Sequence, residues 1–282
     1  EMSFGRNSIV GTTVSNPECL PKDLTGDEKH TRLNGEKAYI ATTAGGDCIL
    51  GVSVTESAGA EELTNAYGVF RDEALNVDPE YSPNTVNTDG WEPTRKAWKS
   101  LFPFITVILC FLHAFLSVKR SCSKKAGALL KEVGDKIWDA YKAKTKAGFS
   151  QRIRRLKEWA ENNLKPGEAV KNKILSLCKK KDNFIKAYDF PGACRTSNMI
   201  DRLMKWQDEF LFNRKYFHGT YESAETAIRA WAVLRNFQPY CARINDPGTE
   251  LTCAAGRLNG FQYSDNWLEN LFVSASMCGY RQ

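Results

Sequence analysis

Residues 85–118 read TVNTDGWEPTRKAWKSLFPFITVILCFLHAFLSV, and the way this stretch divides decides the fold. Thr85-Val86-Asn87-Thr88 predicts a short strand, closed by the turn dipeptide Asp89-Gly90. Glu92 to Leu101 predicts a brief helix. Phe104 to Leu109 predicts a further strand, because Ile105-Thr106-Val107-Ile108 is mostly β-branched. Leu101 to Val118 is also the most membrane-like part of the chain, at 18 residues ending before Lys119-Arg120. That length barely reaches a bilayer span, and Pro103 and His113 interrupt it. A buried strand feeding a buried helix accounts for it better, so no membrane partner is expected.

Upstream, Leu20 to His30 contains a short strand candidate ending near Asp27. Lys37 to Thr42 and Cys48 to Val54 predict two more strands, with Gly45-Gly46-Asp47 as a hairpin turn and Asn34-Gly35 as another tight turn. Together they predict an antiparallel meander. Over residues 59–76 the period changes, with Leu63, Ala66, Tyr67, Phe70 and Leu75 at roughly helical spacing. Ser57 is the expected cap, and Asp78-Pro79 and Ser82-Pro83 end this helix. Residues 1–19 read as an irregular polar segment.

Downstream, the chain is helical and basic from Ala114, with apolar stripes at Trp138/Tyr141 and Ile153/Leu156/Trp159. Lys165-Pro166-Gly167 splits this region, and further helices are expected near Asn198 to Asn213, Ala224 to Arg235 and Trp267 to Ser276. The order is three strands, helix, strand, helix, strand, helical insert, helix. It predicts an α/β fold: a mixed five-stranded sheet with flanking helices and an all-α insertion, the layout of the RNase H-like fold. The expected divisions are a core in two parts (20–118 and 191–240), a basic helical insertion (119–190) and a C-terminal extension (241–282).

The 282 residues are 42% apolar, enough for a substantial core. The net charge of +6 is unevenly spread. Residues 119–181 hold 19 Lys/Arg and 6 Asp/Glu, or +13, which leaves 20 basic and 27 acidic residues, or −7, elsewhere. A basic segment inside an acidic body suggests a polyanionic partner, although a solvated helical surface has the same composition. The nine cysteines are odd in number and irregularly spaced, which favours reduced thiols and a cytoplasmic protein. There is no secretory signal, and the opening Glu1-Met2-Ser3-Phe4 suggests a piece of a longer chain.

Three acids stand out, at Asp27, Asp89 and Asp201, separated by very unequal gaps. They can meet only if a sheet brings them together, and converging carboxylates commonly hold hard divalent ions. Singly, each has an ordinary reading: Asp27 as a turn residue, Asp89 as a turn residue, Asp201 as an acid favoured at a helix start capped by Ser197 or Asn198. Asp23 and Glu28 compete locally with Asp27, and Asp208 and Glu209 are weaker candidates for the third position. Strand alternation sends Asp27 and Glu28 to opposite faces. Cys110-x-x-His113 reads as half of a zinc site, as a buried Cys and core His, or as a His that positions a phosphate or a catalytic acid.

In combination, Asn87-Thr88-Asp89-Gly90-Trp91, Ala97-Trp98, Leu101-Phe102-Pro103, Cys110-x-x-His113 and Thr196-Ser197-Asn198-x-x-Asp201 resemble the Mutator-like and related bacterial transposases of the DDE type. The resemblance spans roughly residues 20–240, with Asp201 standing where that superfamily usually has Glu. It implies that Asp27, Asp89 and Asp201 hold two Mg²⁺ ions (or Mn²⁺), with Cys110, His113 and Asn198 in support. The implied chemistry is cleavage at transposon ends and joining of 3′-hydroxyl ends to target DNA, with no small-molecule cofactor. Lys119, Arg120, Lys124, Lys125, Arg152, Arg154, Arg155 and Lys157 are expected to grip the DNA backbone. Trp138 and Trp159 either stack on a base or pack in the core. Pairing two DNA ends implies a homodimer or larger assembly, and end recognition is expected to lie on a preceding part of the protein. The alternatives are an RNase H-like nuclease or resolvase without strand transfer, and an inactive DNA-binding remnant.

Overall fold

A computed structural model describes residues 2–122, 127–240 and 251–277. Five strands, β1 (Asp23–Leu33), β2 (Glu36–Gly45), β3 (Cys48–Thr55), β4 (Thr85–Thr88) and β5 (Thr106–Leu109), form one sheet in the order β3-β2-β1-β4-β5. β1, β2 and β3 are antiparallel, whereas β4 and β5 run parallel to β1. The two hairpins close through two-residue turns at Asn34-Gly35 and Gly46-Asp47, with all four residues at positive φ. That geometry matches the twist of the strands, and Gly, Asn and Asp adopt it at low cost.

The helices are α1 (Ile9–Thr13), α2 (Ala60–Val77), α3 (Glu92–Leu101), α4 (Phe111–Ser121), α5 (Gly127–Tyr141), α6 (Lys146–Asn163), α7 (Ala169–Lys179), α8 (Lys181–Ile185), α9 (Asn198–Asn213), α10 (Tyr221–Phe237), α11 (Ala254–Asn259) and α12 (Trp267–Met277). Successive side chains on a strand point to opposite faces, and the sheet uses both. Leu24, Ala41, Leu50 and Val86 pack with Tyr67 and Phe70 of α2 and Trp98 of α3. Leu33, Ala38, Ile40, Ile49 and Val52 pack with Ile200, Leu203, Ile228 and Val233 of α9 and α10. The chain is therefore α/β, with a mixed five-stranded sheet flanked by helices.

Helices α4 to α8 share a separate apolar core of residues including Val133, Ile137, Phe149, Ile153, Leu156 and Ile174. Leu109 and Phe111 belong to this same core, so the helical body grows directly from the end of β5. Trp138 packs against Phe115 and Tyr141 there, with ring centroids 5.1 and 5.2 Å apart, and Lys136 lies over Trp159. Among the described residues, no helix is long and apolar enough to cross a membrane.

Several expectations need correction. Residues 2–19 are not wholly irregular: α1 is wholly buried, with Ser8 Oγ accepting from Gly11 N at its start. Its β-branched Ile-Val and Thr-Thr pairs have weak helix propensity, so burial between α2, β3 and α10 decides its state. β1 does not end near Asp27 but continues to Leu33, carried on by its pairing with β2. Ser57 does not cap α2. Gly59 occupies that position, and Ser57 Oγ accepts from its N–H instead. β5 begins at Thr106, leaving Phe104 exposed in the preceding turn.

Candidate metal centre

The parallel register of β1 and β4 pairs Asp23 with Thr85, Leu24 with Val86 and Thr25 with Asn87. Two residues further along, Asp27 lies level with Asp89, which stands just past the end of β4. At the neighbouring strand end, Cys110 N donates to Thr88 O at 2.7 Å and begins α4, so His113 sits in that helix's first turn. The segment before α9 is pinned to the same edge. Phe111 N donates to Arg195 O at 3.1 Å, and Asn87 Nδ2 donates to Cys194 O at 2.9 Å. The Arg195 guanidinium in turn donates to Tyr141 O and Tyr188 Oη, tying this segment to the helical body. With both ends held, the first turn of α9 delivers Asp201 above β1. One ligand atom each from Asp27, His113 and Asp201 then lies within 4.8 Å of the other two.

A short relay fixes Asp201. Ser197 N donates to Cys110 Sγ at 3.1 Å, the Cys110 thiol donates to Ser197 Oγ at 3.2 Å, and Ser197 Oγ donates to Asp201 Oδ2 at 2.9 Å. Ser197 occupies the N-cap position of α9 but makes no side-chain cap bond, because its hydroxyl is committed to Asp201. Ser197 is expected from the sequence as a candidate cap and as part of the Thr196-Ser197-Asn198-x-x-Asp201 element, but the bond from its hydroxyl to Asp201 and the anchoring by Asn87 and Arg195 carry no local sequence signal. Asn198 is the exposed first residue of α9.

Burial and neighbouring charges both perturb the titrating groups of the site. Burial, reinforced by the neighbouring Glu28, raises the Asp27 carboxyl to about 7, although His113 pulls the other way. The imidazole of His113 is raised to about 9, first by its contact with Cys110 and against burial, with Asp27 and Asp201 adding to the effect. Burial raises the Cys110 thiol, but its bonds to His113 and Ser197 together outweigh burial and leave it lowered. His113 Nδ1 is buried and makes no hydrogen bond of standard geometry despite its sulfur neighbour.

Asp89 stands outside this group of three. It is exposed, and its Oδ1 accepts from Trp91 N at 2.7 Å in a turn completed by Gly90 at φ +92°. It remains close enough for its charge to raise both Asp27 and Glu28. Glu28 points to the opposite face, where Tyr67 Oη and Thr94 Oγ1 each donate to its Oε1 at 2.7 Å. Asp23 accepts from Thr85 Oγ1, and Asp208 pairs with Lys29 on the surface.

Of the expected backbone-gripping residues, Lys124 and Lys125 lie outside the described residues. Lys119, Arg120 and Arg155 are exposed. Arg154 and Lys157 make one-turn pairs with Glu158 and Glu161 at 3.6 and 3.7 Å, and Arg152 pairs with Asp139 at 3.1 Å. Such surface pairs are worth at most about 1 kcal/mol, so a polyanion can displace them. Arg154, Lys157, Lys179 and Lys181 line an open cleft of about 1000 Å³ between α6 and α7.

The donor set suits a divalent cation: two carboxylates for a hard ion and an imidazole beside them. No family model matches the chain, and no curated protein matches it.

Proposed function

We propose that this chain is the catalytic part of a DDE-type transposase with an RNase H-like fold, acting on DNA in the cytoplasm. The observation that carries the reading is the convergence of Asp27, on the central strand, with Asp201 beside His113, although a helical body separates the last acid from the others. A mixed five-stranded sheet with flanking helices, an acid on a strand and another on the helix after an all-α insertion, is compatible with the arrangement the resemblance implies. Asp27 and Asp201 would hold the ion, and Asp89 would reach it by turning its exposed carboxylate away from Trp91 N.

Divalent ions bound there would activate water or a DNA 3′-hydroxyl and stabilise the leaving oxygen. The residues of the chain do the rest. Ser197 and Cys110 orient Asp201, and Asn87 and Arg195 hold the approach to α9 against the strand ends. The short side chain of Asp201, where Glu is usual, would be held in place by the Ser197 hydroxyl that donates to it. The cleft between α6 and α7 would take the phosphate backbone, with an affinity that falls as salt rises. Two DNA ends would be paired by two copies of the chain.

A second reading, an inactive DNA-binding remnant, is favoured by one observation: Asp89 faces solvent and bonds to its own turn. Nicking of supercoiled plasmid with Mg²⁺ or Mn²⁺ separates the two. Cleavage abolished by Asp89→Asn supports the enzyme, and joining of a cut end to target DNA distinguishes a transposase from a nuclease. Salt-sensitive DNA binding with no cleavage by either ion leaves the remnant.

A further inference from the structure

We infer that His113 is itself a ligand of the divalent ion, which makes the centre an Asp27–His113–Asp201 set that prefers Mn²⁺ to Mg²⁺. This rests on reading the cluster as a metal centre, and it changes what that centre is made of. Ligand atoms about 2.1–2.4 Å from one ion are at most about 4.2–4.8 Å from each other. The three groups lie within 4.8 Å of one another, inside that limit, so one ion can be reached by all three once the donors close on it. Asp89, by contrast, is exposed and has Oδ1 engaged by Trp91 N.

His113 is also held as a ligand should be. It lies in the first turn of α4, whose start is anchored by Cys110 N on Thr88 O and Phe111 N on Arg195 O. A ring nitrogen buried without a hydrogen bond is costly unless it gains a partner, and His113 Nδ1 is such an atom. Carboxylates alone suit Mg²⁺, whereas an added imidazole shifts a site towards transition ions.

The test is Mn²⁺ titration of the full chain followed by electron paramagnetic resonance, with pulsed measurement of nitrogen coupling to the bound ion. Nitrogen coupling is expected in the unsubstituted protein, lost in His113→Ala and kept in His30→Ala. Mn²⁺ affinity is expected to fall at least about tenfold in His113→Ala, while Mg²⁺ affinity, read by competition, falls less. Bound Mn²⁺ without nitrogen coupling overturns the inference and leaves the carboxylate centre standing. So does unchanged or tighter Mn²⁺ binding by His113→Ala, since the ring would then be only a competing positive charge. Failure of the unsubstituted chain to bind Mn²⁺ overturns the metal centre as well. The coupling measurement uses the native sequence, so it does not depend on whether a variant folds.

Discussion

Replacing Asp27 with Asn is expected to make the ion-free protein more stable at pH 8. In the folded chain this carboxyl titrates at about 7, against an ordinary value of 3.8. The folded state therefore holds the proton more tightly than the unfolded one. The stability this contributes is complete below pH 3.8 and is lost as pH rises through 7. A gap of about three pH units corresponds to at most about 4 kcal/mol. Partial solvent access to the site reduces this to roughly 2 kcal/mol. Asn keeps an oxygen for Glu28 N, so the bond accepted by Asp27 Oδ1 at 2.9 Å survives the change. Denaturant unfolding in EDTA at several values between pH 4 and 8 measures the difference. The two proteins should differ least near pH 4, and the variant should lead by about 2 kcal/mol at pH 8. Added Mg²⁺ should then stabilise the native sequence and leave the variant unchanged, because an ion that binds only the folded state shifts the equilibrium towards it. A stability difference that does not change with pH, or a variant less stable at pH 8, would refute the reasoning.

Three other variants probe the surroundings. Ser197→Ala removes the donor to Asp201 and leaves the Cys110 thiol without its acceptor, so it should cost about 1–3 kcal/mol and weaken Mn²⁺ binding, both read by titration. Trp98→Ala empties the fully buried centre of the α2/α3 face and should cost about 3–5 kcal/mol in denaturant unfolding. Replacing Lys179 and Lys181 with Ser should weaken binding to DNA of any sequence and lower the slope of log affinity against log salt by roughly 0.9 for each phosphate that is no longer neutralised.

The strands and helices that frame the site were legible because their signals are local. Thr85–Thr88 is a mostly β-branched stretch before a turn dipeptide, and Asn34-Gly35 and Gly46-Asp47 supply the positive φ values that a hairpin demands. The helix from Asn198 to Asn213 has a clear period and ends where the sequence reading placed it. What stayed hidden was set by tertiary partners. Nothing in Ile9–Thr13 favours a helix except burial. Ser197 has the composition of a cap, and only the fold shows its hydroxyl turned to Asp201. Asn87 holds the approach to α9 by donating its side-chain amide to Cys194 O, and Arg195 holds it by its own carbonyl and its guanidinium, with partners that only the fold supplies. Asp27 and Glu28 did separate by strand alternation, as period two requires, but the Tyr67 and Thr94 partners of Glu28 come from helices far along the chain.

The most direct measurement is anomalous scattering from crystals of the chain soaked in Mn²⁺. A peak within bonding distance of both Asp27 and Asp201, lost in Asp201→Asn, is the expected result. Density for a fully folded site with no peak between those carboxylates, or a peak held only by other residues, would contradict the claim that these distant acids form a divalent-ion centre.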